Sequence, residues 1–167
     1  MNNQFFYILS CCLLLGNCAS SQVNDPAYSL MLQKLLSHSV SEISVKEAAE
    51  KSDNVIFLDA REKEEFAVSH LEGAMQVGYD QFTLKTVNNI NKDERIIVYC
   101  SVGYRSEKIA EQLVSAGFSH VANLYGGIFE WVNEGHPVYD QSGKLTNKVH
   151  AYDYTWGVWL RKGDKVY

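Results

Sequence analysis

Residues 96–106 read IIVYCSVGYRS, and this stretch decides the fold. Its first part, Ile96 to Tyr99, is a continuous apolar run of the kind that forms a strand buried on both faces. Cys100 then opens a short loop, and a helical pattern follows that ends at Gly117. The apolar face of that helix carries Ile109, Ala110 and Leu113. The stretch therefore predicts a strand, a tight loop and a helix, with Cys100 at the carboxyl end of the strand.

The alternation of strands and helices continues on both sides of this unit. Further strands are predicted over residues 55–58, 74–77 and 121–124. Helices are predicted over 61–66 and 82–90, after Asp25-Pro26, after the capping-box pattern of residues 44–47, and from Gly126-Gly127 to Gly135. Strands that alternate with helices at this spacing indicate parallel βαβ units. We therefore expect an α/β three-layer sandwich with a mostly parallel central sheet flanked by helices.

The loop from Cys100 to Ser106 combines several features that stabilise a negative sulfur. A tight turn between a strand and a helix can point several backbone N–H groups inward, and the helix adds the positive end of its dipole. Gly103 permits a backbone conformation that a side chain would resist, and Arg105 is a permanent cation beside this cradle. Because the thiolate is the nucleophilic form of cysteine, Cys100 is the candidate reactive residue.

Structural interpretations compete with the functional ones. Cys100 could be an inert buried cysteine, and Ser106 is as well suited to cap a helix as to contact a ligand. Asp59, Arg61 and His70 are interpreted as structural, and the acidic run 62–65 as a solvated face. The remaining histidines lack partners at metal-ligand spacing, so no metal and no cofactor is expected.

The loop resembles the active-site loop of the rhodanese family: cysteine, two residues, glycine, one residue, arginine. Three further segments are similar to motifs of that family and follow in its order. They are residues 58–66 (LDAREKEEF), residues 70–74 (HLEGA) and residues 123–128 (NLYGGI) with Trp131 and Gly135. Together the four segments predict a rhodanese-like domain over residues 44–138.

The resemblance implies a sulfurtransferase, active through a persulfide on Cys100. A small sulfur-donor anion such as thiosulfate would give its outer sulfur to Cys100, and cyanide, a small thiol or a protein thiol would remove it. Backbone amides from Ser101 to Ser106 would stabilise the negative sulfur, while Val102 and Tyr104 would line the mouth of the pocket. Phosphatase relatives carry one residue more between cysteine and arginine, so the shorter loop favours sulfur. The alternatives are a persulfide carrier that serves one protein partner and an inactive scaffold.

The first residues have a different character. Residues 5–15 (FFYILSCCLLL) are too few to span a membrane, which takes about 20, but suit the apolar region of a secretory signal. Residues 15–18 (LGNC) resemble a bacterial lipobox, which implies cleavage of residues 1–17 and lipidation of Cys18. We therefore expect an exported, periplasmic protein that is lipid-anchored, to the outer membrane in a Gram-negative host. Residues 18–43 would form a tether and an N-terminal helix.

Two features of composition complete the prediction. The net charge of −5 and the lack of any Lys or Arg run argue against nucleic-acid binding and against purely electrostatic attachment to a membrane. Residues 139–167 form an aromatic-rich C-terminal extension. Because so many aromatic side chains are unfavourable in water, we expect this extension to pack on the domain, with a position over the active site as the second choice.

Overall fold

A five-stranded parallel sheet forms the centre of the protein, in a computed structural model that describes residues 23–51 and 55–167. The strands lie in the order β1-β5-β4-β2-β3, and every neighbouring pair is parallel. Their bounds are Ser41–Ile43 (β1), Ile56–Asp59 (β2), Met75–Gln76 (β3), Arg95–Tyr99 (β4) and His120–Leu124 (β5). The central strand β4 pairs with β2 and β5, and its carboxyl end delivers Cys100. The predicted α/β architecture is confirmed.

Five helices accompany this sheet within the described part of the chain. Their bounds are Pro26–Leu35 (α1), Val45–Glu50 (α2), Lys63–Val68 (α3), Tyr104–Ser115 (α4) and Gly127–Asn133 (α5). The caps predicted for the first two are present: the Asp25 carboxylate accepts from the amides of residues 27 and 28, and Ser44 forms a capping box with Glu47. Sequence signals thus fix where these helices begin.

Alternate side chains of β4 enter two separate hydrophobic clusters. Ile97 and Tyr99 join the cluster that contains α1, α2 and α5, while Ile96 and Val98 join the cluster built on α4. Both faces of the strand are therefore covered, as the continuous apolar run predicted. Cys100 continues the alternation and belongs to the α4 cluster.

The segment between β3 and β4 differs from its prediction. The helix expected over residues 82–90 is a single 3-10 turn, Leu84–Val87. Val87 is buried, but Leu84 is 45% exposed, so the segment has only a weak apolar face to hold a longer helix. Thr83, Asn88 and Asn89 also have side chains that compete for backbone hydrogen bonds and favour turns.

The C-terminal extension folds into short elements. They are Val138–Tyr139 (β6), Leu145–Thr146 (β7), Lys148–His150 (β8), Tyr154–Gly157 (α6) and Asp164–Val166 (β9). The side chains of Val149, Ala151 and Leu160 are fully buried in the cluster with α1 and α5. The Trp159 ring stacks on Tyr28 with centroids 5.2 Å apart. The extension therefore packs on the domain next to α1.

No helix of residues 23–51 and 55–167 is long and apolar enough to cross a membrane. The segment predicted to be a signal peptide, residues 1–17, and the predicted lipidation site Cys18 lie outside the described residues.

Candidate active site

Cys100 lies at the floor of a pocket beyond the carboxyl end of β4, which is where parallel α/β sheets bind ligands. The residue is only 1% exposed, but it is among the residues that line the pocket. The pocket has a volume of about 550 Å³. Its walls include Val102 and Tyr104 from the loop, Glu62, Tyr79 and Asp80 from the edge of the sheet, and Tyr152 and Trp156 from the extension.

The loop folds back so that its own groups meet the sulfur. The Gly103 amide lies 3.1 Å from Cys100 Sγ, and the Ser106 hydroxyl lies 3.5 Å from it. Gly103 has a φ of +123°, a value that side chains oppose, and its role at the turn is thus conformational. The Gly103 amide therefore donates to the sulfur, and the Ser106 oxygen lies close to it, on the side on which α4 begins.

Asn123 holds the tip of this loop from the end of β5. Its side-chain nitrogen donates to the Gly103 carbonyl at 3.0 Å, and its carbonyl oxygen lies 2.7 Å from the Ser106 hydroxyl. Asn123 is completely buried, so both contacts are made without competition from water. The amide thereby fixes both residues that approach the sulfur of Cys100.

The start of α5 holds the other side of the loop. The amides of Ile128 and Phe129 donate to the carbonyls of Cys100 and Ser101 at 2.9 and 3.1 Å. A Cβ on Gly127 would lie 2.6 Å from the Ser101 oxygen, so only glycine permits this approach. Because the two carbonyls point towards α5, the amides that follow them point away from it.

Arg105 is paired within the protein and is not a free cation in the pocket. Its guanidinium forms two hydrogen bonds to the Glu65 carboxylate, of 2.6 and 2.8 Å, and a third to the Ser101 hydroxyl at 3.0 Å. The Glu65 carboxylate also accepts from Ser101 and from the Glu62 amide. The network ties α3 to the active-site loop and to the first turn of α4.

In the Glu65–Arg105 pair, each charge stabilises the ionised form of the other residue. Burial by itself raises the pKa of Glu65, but the hydrogen bonds and charge of Arg105 more than reverse this, and the pKa lies below its ordinary value. Burial lowers the pKa of Arg105, and the hydrogen bonds to Glu65 outweigh that effect and raise it. Both groups therefore stay ionised at neutral pH.

The acidic run 62–65 is not the solvated face that the sequence indicated. Glu65 is buried at 4% exposure, and Glu62 accepts hydrogen bonds from the amides of Tyr79 and Asp80. The helix α3 that carries the run turns one side of it inward to the loop. Only Lys63 and Glu64, between them, are exposed.

Asp59, Arg61 and His70 have the structural contacts that were expected of them. The Asp59 carboxylate binds the Arg61 guanidinium with three hydrogen bonds, and both side chains are fully buried. His70 stacks on Phe66 and contacts its carbonyl through Nδ1. None of the three is among the residues that line the pocket.

Comparison with known proteins agrees with this geometry. The model of the rhodanese-like domain family matches residues 43–134, more than half of the 167-residue chain. The chain belongs to the rhodanese-like domain family. The predicted family and its sandwich fold are thereby confirmed. A rhodanese-like domain protein from Staphylococcus aureus superposes with a TM-score of 0.54 at 28% identity, and the match covers 61% of this chain and 99% of that one.

The chain spans about half or less of the length of the curated relatives that it matches. Protein HIGH ARSENIC CONTENT 1, mitochondrial, of Arabidopsis thaliana is 36% identical over 90 residues, which cover 47% of this chain and 53% of that protein. The tRNA uridine(34) hydroxylase of S. aureus (strain Newman) is 34% identical over 94 residues, 53% of this chain and 29% of the hydroxylase. The matched region is thus shared with proteins that have different names.

Sequence reasoning missed Glu65, Asn123 and the two aromatic residues of the extension. Asn123 carries a signal that could have revealed it, because a polar residue in a strand buried on both faces needs a partner. Glu65 carries none, because an acidic residue among three other charges looks solvated. Tyr152 and Trp156 lie beyond residue 134, where the family match ends. The extension therefore packs on the domain, as expected, and two of its residues also line the pocket, which was the second choice.

Proposed function

We propose that this rhodanese-like protein is a sulfurtransferase that carries sulfane sulfur as a persulfide on Cys100. The observation that carries the proposal is that Cys100 lines this pocket while its Sγ lies 3.1 Å from the Gly103 amide. A structural cysteine needs neither an open approach nor donors directed at its sulfur. The Ser106 hydroxyl, 3.5 Å from the sulfur, is held by Asn123 and keeps the loop in this arrangement.

The reaction proceeds in two displacements. The Cys100 thiolate attacks the outer sulfur of a donor, a new S–S bond forms, and the rest of the donor leaves with the electrons of the broken bond. An acceptor nucleophile then attacks the terminal sulfur of the persulfide and restores the thiolate. The Gly103 amide donates to Sγ, so it stabilises the Cys100 thiolate before the first displacement and again after the second.

Two roles share this chemistry and differ in turnover. An enzyme passes sulfur repeatedly from donor to a small acceptor, whereas a carrier holds the persulfide until one protein partner removes it. The test is formation of thiocyanate from cyanide with thiosulfate and with an organic persulfide, in the native protein and in Cys100→Ser. Multiple turnovers that vanish in the variant support the enzyme, and a single turnover supports the carrier. Equal rates in both proteins would overturn the proposal.

We also propose that the protein is exported and anchored by lipid at Cys18. The proposal rests on the apolar stretch of residues 5–15 and on the lipobox-like LGNC at residues 15–18. Two or more acyl chains give stable membrane attachment, whereas one chain binds only marginally. Metabolic labelling with palmitate should mark the native protein and not Cys18→Ser. Labelling that persists in the variant would contradict lipidation at this residue.

A further inference from the structure

The pocket above Cys100 is built from more than the rhodanese-like region. Residues 43–134 supply the floor and one side, whereas Leu35 comes from α1 and Tyr152 and Trp156 come from the C-terminal extension. The three outer residues are apolar or aromatic, and they line the same pocket as the loop residues Val102 and Tyr104. Part of the pocket wall therefore comes from residues outside the matched region.

Tyr152 is held in a defined position at the rim. Its φ of +66° lies in the left-handed region, which is unfavourable for a side chain of this size. Its amide donates to His150 Nδ1 at 3.1 Å, and its ring lies 5.1 Å from the Arg105 guanidinium carbon. Half of the Tyr152 surface remains exposed. The ring is therefore open to contact by a molecule bound in the pocket that it lines.

The charges of the lining are unfavourable for an anion. Glu62 and Asp80 are carboxylates, and Arg105 is the one cation among the residues that line the described pocket. The charge of Arg105 is already balanced by Glu65 through two hydrogen bonds. A dianion such as thiosulfate would thus meet two carboxylates and no unpaired positive side chain among these residues.

The size and polarity of the pocket favour a larger, apolar molecule. A volume of about 550 Å³ lies within the range of roughly 300–1000 Å³ typical of sites for organic ligands, and is far larger than a small inorganic ion needs. Aromatic and aliphatic side chains provide most of the walls. Apolar groups that pack against these walls are removed from water, which favours their binding.

From these observations we propose that the sulfur donor is an organic persulfide whose body is apolar and carries no negative charge, and that Tyr152 and Trp156 bind that body. The inference rests on the proposed function, since it assigns the donor of the same Cys100. The transfer balances without an external oxidant or reductant. Cys100 thiolate bonds to the outer sulfur of R–S–SH, the S–S bond of the donor breaks, and R–S⁻ leaves with the bonding electrons while the proton stays on the transferred sulfur.

The test compares donors of different charge on the full chain. Benzyl persulfide carries an apolar body. The persulfides of cysteamine and 3-mercaptopropionate are similar in size, but the first carries a positive charge and the second a negative one. Thiosulfate is the inorganic reference. The rate of Cys100 persulfide formation should fall in the order benzyl, cysteamine, 3-mercaptopropionate, thiosulfate. We expect benzyl persulfide to exceed thiosulfate in kcat/KM by at least tenfold. A faster reaction with thiosulfate would overturn the inference.

Variants of the lining residues then show which side chains determine the preference for one donor over another. Tyr152→Ala and Trp156→Ala should each lower the ratio of kcat/KM for benzyl persulfide over thiosulfate by at least fivefold. Asp80→Asn should raise the rate with 3-mercaptopropionate persulfide relative to its cysteamine counterpart. Tyr154→Ala is the matched control, because Tyr154 lies on the same segment, is 78% exposed and stacks on Tyr167 away from the pocket lining.

The outcomes separate this inference from the proposed function. If Cys100 is loaded by thiosulfate as fast as by benzyl persulfide and the ratio is unchanged in both aromatic variants, the donor assignment is wrong while sulfur transfer by Cys100 stands. If none of the four donors loads Cys100, the proposed function itself fails, and the donor assignment with it.

Discussion

Replacement of Glu65 by glutamine removes the charge that balances Arg105 and keeps the shape of the side chain. In the native protein the carboxylate accepts hydrogen bonds of 2.6 and 2.8 Å from the guanidinium, and the side chains of Glu65 and Arg105 are 5% and 14% exposed. Hydrogen bonds to charged groups contribute about 1.5–3 kcal/mol each. Loss of one partner from a buried ion pair costs about 3–5 kcal/mol.

The expected loss lies at or just below the lower limit of that range. The substituted glutamine side chain would still offer one carbonyl oxygen to Arg105, and the guanidinium retains some contact with solvent. We therefore expect the free energy of unfolding to fall by about 2–3 kcal/mol. For a domain of this size that corresponds to a decrease in Tm of about 5–10 °C.

Urea denaturation followed by circular dichroism measures this loss. The matched control is Glu64→Gln, since Glu64 precedes Glu65 on α3 and is exposed. A double-mutant cycle with Arg105→Gln isolates the pair, and we expect a coupling of at least about 1.5 kcal/mol. A Glu65→Gln variant within about 0.5 kcal/mol of the control would refute the assignment of this pair as a clamp on the loop.

Three further changes test other parts of the structure. The pKa of Glu65 in the folded protein is lowered from 4.5, so the stability difference between native protein and Glu65→Gln should be complete above pH 4.5 and should shrink as the pH falls through the folded-state pKa. Urea titrations across this pH range measure the difference, and a difference that grows on acidification would contradict the lowered pKa. Gly127→Ala should destabilise the protein by more than about 3 kcal/mol in thermal unfolding, because the added Cβ would clash with the Ser101 carbonyl. The control Gly143→Ala, also at a positive φ but with open space around it, should cost about 1 kcal/mol, and equal losses would refute the close approach at Gly127. Tyr28→Phe should lower the unfolding free energy by about 1–2 kcal/mol, because the fully buried hydroxyl donates to a backbone carbonyl at 2.8 Å, and a neutral result would mean that this bond adds no stability.

The sheet and its helix starts could be predicted because local signals and tertiary structure agree there. The apolar run 96–99 is buried on both faces, and Asp25 and Ser44 cap the helices that their sequences begin. The helix expected over 82–90 is only a 3-10 turn, in which Val87 is buried but Leu84 is exposed. Periodicity predicts an element only where a core exists to receive its apolar side.

The candidate site also contains some residues that the sequence predicts and others that it does not. Cys100 and Gly103 were identified because a loop between a strand and a helix is encoded within a few consecutive residues. The Glu65–Arg105 pair joins residues 40 positions apart, and no local pattern reveals which carboxylate an arginine will meet. Tyr152 reaches the pocket only through the packing of the extension on the domain. Contacts of this kind are properties of the folded chain.

Acceptance of sulfur by Cys100 in the folded protein is the step on which the proposed function depends. Its most direct test is the intact mass of the native protein before and after exposure to benzyl persulfide or thiosulfate, with Cys100→Ser as control. We predict a gain of one sulfur atom that is absent from the variant and is removed by cyanide. An unchanged mass with both donors, together with a Cys100 thiol that resists alkylation until the protein unfolds, would contradict it.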